Sequence, residues 1–176
     1  MNRLVDSITA LIHDTDYFAE IASKVDLRKY LFDEIDSFVY PVGVYYLSIN
    51  KSYVDDYQQA YSILFLKSLY YEYDWNVEEP VHASITEEKW AEILKTIWIP
   101  KQHKKLHIKQ YSSLELSNEA AVWLEHNKFP QEQIEQFRAQ HSEANVIEVL
   151  DIYAGHHCFG ETENVFFITE FGCGYD

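Results

Sequence analysis

An α+β fold is what this sequence predicts: several helices packed on a small, mostly antiparallel sheet, in a single globular domain spanning residues 1–176. Three observations predict it. The run AYSILFL, residues 60–66, lies in a helix-patterned stretch and is apolar almost all the way round, as buried helices are. Segments with apolar residues every three or four positions lie before and after it, which is the pattern of helices covering a core. Two β-branched and aromatic runs near the C terminus, VIEVLDIYA and VFFITEF, have the composition of strands.

Taken in order, residues 2–36 read as a helical layer. Leu4, Ile8, Leu11 and Ile12 share one stripe, and Phe18, Ile21, Ala22 and Val25 share another. Asp14-Thr15-Asp16 between them is a stop-and-recap signal, and Asp26 caps a further turn or two carrying Leu27, Tyr30, Leu31 and Ile35. In SFVYPVGVYYLSI, residues 37–49, Pro41 and Gly43 point to an edge strand or a bulged one. The central helix is expected over about residues 52–74, with Ser52 as N-cap, Asp55 three residues on, and Asp55 and Asp56 favoured by the helix dipole.

An acidic stretch, residues 72–92, leads to a helix capped by Thr86 and ended by Pro100. KQHKKLHIKQY, residues 101–111, is the only basic run, a solvated turn entering a strand over residues 106–114; His103 and His107 there lack the Glu of a zinc-protease helix. Residues 117–144 form a helical hairpin in which Ser117 caps the first helix, Asn127 ends it, Pro130 opens the second, and Ile134 and Phe137 are buried. A DNA-reading role for this hairpin is disfavoured by the acids of QEQIEQFRAQ. GHHCFGETEN, residues 155–164, has the glycines and asparagine of an exposed irregular loop joining the last two strands as an antiparallel pair.

Composition narrows the classes of function. A formal charge of −15 makes nucleic acid and anionic membrane poor partners. Two Cys cannot staple a secreted scaffold, the N-terminal stretch has no signal-peptide pattern, and no run reaches the ~18–20 apolar residues that span a bilayer, so the expected compartment is the cytoplasm. Nine of the 14 Tyr fall between Tyr40 and Tyr73, as core and rim of the central helix or as a recognition surface. Phosphate-binding, dinucleotide, nucleophile-elbow and EF-hand signatures are absent.

One cluster carries potential chemistry: His156, His157 and Cys158, with Cys173 further on. Adjacent His-His does not match the spacings that bring ligands onto one tetrahedral zinc, so neither a metal nor a cofactor is expected. The charge pattern says more. After Arg138 there is no Lys or Arg, while the last 38 residues carry seven acids interleaved with aromatics. Such a field steers a basic partner. Asp151, Phe159, Glu161, Glu163, Glu170, Tyr175 and Asp176 are the partner-binding candidates, with Phe159 as an aromatic anchor. The expectation is a non-catalytic acidic protein that neutralises a basic protein partner, such as a toxin or nuclease. In size and charge the chain is similar to small acidic bacterial immunity proteins, and that resemblance implies an immunity or antitoxin role. The alternatives are a small enzyme or metal-dependent protein using the His156-His157-Cys158 segment, and a nucleic-acid mimic.

Overall fold

A six-stranded antiparallel sheet forms the middle layer, with helices on both faces. The structure, a computed structural model, describes residues 2–76, 106–152 and 155–173. The expected helix after Thr86, the basic residues before Leu106, and Tyr175 and Asp176 lie outside them. The strands are β1 (Phe32–Val39), β2 (Val42–Asn50), β3 (Leu106–Tyr111), β4 (Asn145–Ile152), β5 (Gly155–Glu161) and β6 (Val165–Cys173), in the order β1-β2-β6-β5-β4-β3. Helices α1 (Arg3–His13), α2 (Thr15–Lys24) and α3 (Tyr57–Asn76) lie on one face, and α4 (Ser113–His126) and α5 (Gln131–His141) on the other. The fold is α+β, as the composition of the segments predicts.

The helix α3 is the centre of the first layer. Residues 60–66 are all buried, packed on Tyr45, Leu47 and Ile49 of β2 and Phe166 and Ile168 of β6, with Leu4, Ile8 and Leu11 of α1 alongside. Its start differs from the expectation. Ser52 lies in a short 3-10 turn, Lys51–Tyr53, capped by Asn50. The α3 cap is Asp56, which accepts from Gln59 N–H at 2.8 Å, while the Gln59 side chain reaches back to Asp55 N–H at 2.7 Å. Asp14 ends α1 through its own N–H and caps α2 by accepting from Tyr17 N–H, so the recap signal there is borne out.

The helical reading of residues 2–36 is overturned at its end: Phe32–Asp36 belong to β1. Asp26 does cap a turn, the 3-10 segment Leu27–Lys29, but the chain then extends. β1 pairs with β2 across the Tyr40-Pro41 turn, with Val39 opposite Val42. The proline therefore sits in the turn, which is why β2 runs as an internal strand.

In the second layer Ser112, not Ser117, opens α4. Ser112 Oγ accepts from Glu115 N–H and the Glu115 carboxylate accepts from Ser112 N–H, a full capping box. Ser117 is instead buried within the helix. Asn127 ends α4 as expected, followed by Lys128 at φ 64°. Phe129 N–H bonds to Leu124 O and Lys128 N–H to Glu125 O, the pattern of a Schellman cap. Leu116, Ala120, Ala121, Leu124, Ile134 and Phe137 pack on Val44, Tyr46, Val146, Cys158, Phe167 and Phe171.

The largest correction concerns residues 155–164. Gly155–Glu161 are not an exposed loop but β5, paired on both sides with β4 and β6. Helices cover both faces, so its side chains are buried alternately up and down and the polar/apolar alternation of a one-sided strand is missing. Gly160 marks a close approach rather than a turn: a Cβ there would lie 2.6 Å from Phe167 Cζ and 2.9 Å from Asn145 O.

Candidate functional site

The strand β5 settles where most of the sequence candidates go. Phe159 is fully buried in the α3-side core, its ring edge-on to Tyr61 at 5.2 Å and stacked with Phe166 at 6.2 Å, so it is no surface anchor. Glu161 is an anchor of the fold. Its carboxylate accepts from Lys51 Nζ at 2.7 Å, Tyr57 Oη at 2.7 Å and Asn145 Nδ2 at 3.3 Å. Burial alone would raise the Glu161 carboxyl, but these three donors outweigh it and hold it below the ordinary range. Burial and that same carboxylate push the Tyr57 phenol up to about 12. Glu170 accepts from His157 Nδ1–H at 2.7 Å. Asp151 lies opposite His156 in the β4–β5 ladder, and its side chain falls outside the described ones. Among the candidates whose side chains are described, only Glu163, in the tight turn between β5 and β6, is exposed.

The expectation of acids with no cation nearby is also corrected, because strand pairing imports cations from distant sequence. Lys51 reaches Glu161, and Lys109 of β3 lies 3.1 Å from Glu148. Glu148 is 2% exposed and accepts from His156 Nδ1–H at 2.6 Å. Burial works to raise this carboxyl, but His156 and Lys109 prevail and hold it low. His156 Nε2 in turn faces Glu119 at 3.6 Å, and Tyr111 donates to that same Glu119.

His156, His157 and Cys158 do not converge. Successive strand residues point to opposite faces, so His157 joins the α3 side, against Tyr61 and Phe65, while Cys158 joins the α4 side. Cys158 is fully buried, and burial together with the Glu148 and Glu119 charges pushes its thiol up, away from the thiolate a nucleophile needs. Tyr61 Oη and His157 Nε2 are buried without hydrogen-bond partners among the described residues. Among those residues no three His, Cys, Asp or Glu side chains are grouped to hold a metal ion. Nor does any helix there have the length and apolarity to cross a membrane.

The feature that sequence reasoning missed is a cleft of about 530 Å³ between α5, the first two strands and the β5–β6 turn. Its base is an aromatic cluster. Phe137 and His141 stack at 4.0 Å, and Tyr46 meets both edge-on at 5.3 and 5.4 Å. His141 Nδ1–H donates to Phe137 O at 2.8 Å, and Tyr46 Oη–H donates to Nε2 at 3.1 Å. Burial lowers the His141 pKa against the smaller opposing pull of the Phe137 carbonyl, so the ring is neutral and both its nitrogens are engaged. The Tyr46 phenol rises to about 12, chiefly by burial and in part through the nearby Asp33 charge, against a lowering by Ser48. Asp33 of β1 and Glu163 of the turn stand on the cleft, both exposed. Neither has an ion-pair partner among the described residues. Glu34 also borders it, but Lys67 lies 3.6 Å from that carboxylate. The i, i+4 spacing of Phe137 and His141 was a visible sign that they share a helix face; that β1 and the β5–β6 turn meet them there was not.

Comparison with protein-family models, with characterised proteins and with solved structures returned no match.

Proposed function

We propose that this chain is a non-catalytic binding protein whose partner is a basic protein, and that the cleft under α5 is the centre of its recognition surface. The observation that carries the reading is the pairing of two carboxylates that lack cation partners among the described residues, Asp33 and Glu163, with the aromatic base formed by Tyr46 and Phe137. Carboxylates accept charge-assisted hydrogen bonds from Lys or Arg, and ring faces attract the same cations. A formal charge of −15 adds long-range attraction for a basic surface and opposes binding to nucleic acid. An immunity or antitoxin role, with a toxin or nuclease as target and the cytoplasm as setting, fits this chemistry.

The test is capture of the partner from the native host, followed by association kinetics for the wild type and for Asp33→Lys with Glu163→Lys at low and high salt. The double reversal leaves the Glu161 anchor untouched and is expected to slow association by about tenfold or more, with high salt acting in the same direction. An association rate indifferent to both charge reversal and salt would sink the reading.

A further inference from the structure

We propose that the outer edge of β1 accepts an extended segment of the basic partner as an added strand, with one arginine or lysine side chain lowered into the cleft between Asp33 and Glu163. This rests on the reading above and gives it a binding mode.

Three observations converge on it. β1 ends the sheet order, and no strand among the described residues pairs with its outer side. Alternate N–H and C=O groups of β1 turn away from β2, and its Phe32–Ile35 end beside the cleft, roughly 13 Å of extended chain, is the template for strand addition. The cleft opens directly beside that edge, since Asp33 and Ile35 line it together with Phe137 and His141. A strand laid on β1 alternates its side chains between the two faces of the sheet, so every second residue hangs over α5 and the cleft. The faces differ in what they offer a cation: on the α3 side Lys67 already stands by Glu34, whereas Asp33 on the α5 side has no such neighbour among the described residues.

Charge selects the occupant. Asp33 and Glu34 are both exposed along this end of β1, so a second copy pairing edge to edge would set like charges against one another. A basic strand reverses the sign of every one of those contacts. The neutral, fully hydrogen-bonded His141 adds no opposing charge at the base.

The experiment uses the full chain and four probes: a capped peptide of alternating threonine and arginine; its glutamate counterpart; the arginine peptide methylated on every backbone nitrogen; and no peptide. Affinity is measured by calorimetry and β1 amide exchange by NMR. The arginine peptide is expected to bind at low salt and to lose about tenfold or more in affinity on Asp33→Asn with Glu163→Gln. Methylation, which keeps the charges but removes the donors, should cost at least as much, and the outward β1 amides should exchange more slowly when the unmethylated peptide is bound. Equal binding of the methylated and unmethylated peptides with unchanged β1 exchange overturns strand addition while leaving the basic-partner reading intact. No preference for the arginine over the glutamate peptide overturns both. Slow β1 exchange without peptide, together with a dimer in sedimentation, assigns the edge to a second copy and overturns the proposal.

Discussion

On the α3 side of the sheet the buried side chains are nearly all aliphatic or aromatic, whereas on the α4–α5 side Ser48, His141, Glu148 and Thr169 are buried among Val, Ala and Phe. The first side is closed by a helix whose residues 60–66 are all buried. The second is closed by the hairpin of α4 and α5 only in part, and the cleft opens where α5 leaves the first two strands uncovered. Hydrocarbon packing is stabilising without direction, while buried polar groups demand particular partners. The difference puts the more hydrocarbon-like core on one face and the cleft of the proposed binding surface on the other. The polar exceptions described on the α3 side are Ser62 and Ser68, whose hydroxyls donate to the Gln58 and Phe65 carbonyls of the same helix, and His157, which Glu170 holds.

The comparison can be broken by mutation, and the greatest effect belongs to the α3 side. Leu64→Asp puts an unpaired charge where no water reaches, at a cost of several kcal/mol, comparable to the whole stability of a domain. The variant should be unfolded or aggregated by circular dichroism and gel filtration; a cooperative melt near that of the wild type would mean that α3 is not the core helix.

Gly160→Ala comes next, because β5 passes between the two cores. The added methyl collides with the Phe167 ring and with Asn145 O, and overpacking of this kind costs about 1–3 kcal/mol. Cys158→Ser, a change that an exposed loop would tolerate, should lower the melting temperature as well, since it buries a hydroxyl in an apolar setting.

The third effect depends on pH and is confined to the α5 side. His141 has a lowered folded pKa, so between its folded and unfolded values the unfolded chain binds the extra proton. Its contribution to stability is complete above about pH 6.5, the unfolded value, and is lost as pH falls through the folded one. Urea melts of the wild type and His141→Gln over pH 5–7 should show a shallower loss in the variant; equal slopes would place the proton elsewhere.

The smallest effect has the opposite sign. Ser117 Oγ is buried in α4 with no hydrogen-bond partner among the described residues. Ser117→Ala removes that unmet group and favours the helix, so a gain of about 0.5–1 kcal/mol is expected in the same melts. A loss would reveal a partner for the hydroxyl.

Residue patterns alone determined the α+β class, the buried run at 60–66, the recap at Asp14, the end of α4 at Asn127 and the burial of Ile134 and Phe137. Each depends on neighbours within a turn or two of helix, and local periodicity and capping report such neighbours directly. Tertiary structure decided β1, β5 and the cleft. Phe32–Val39 carries too many acids to look like a strand until β2 supplies its partner, and β5 shows no one-sided alternation because both its faces are covered. Glu161 and Glu163 look alike in sequence, two residues apart. One is clamped by Lys51 and Tyr57, and the other stands exposed on the cleft with Asp33, far away along the chain. Which carboxylate is clamped and which is left exposed depends on long-range pairing, and pairing across a sheet brings together residues that no local pattern can relate.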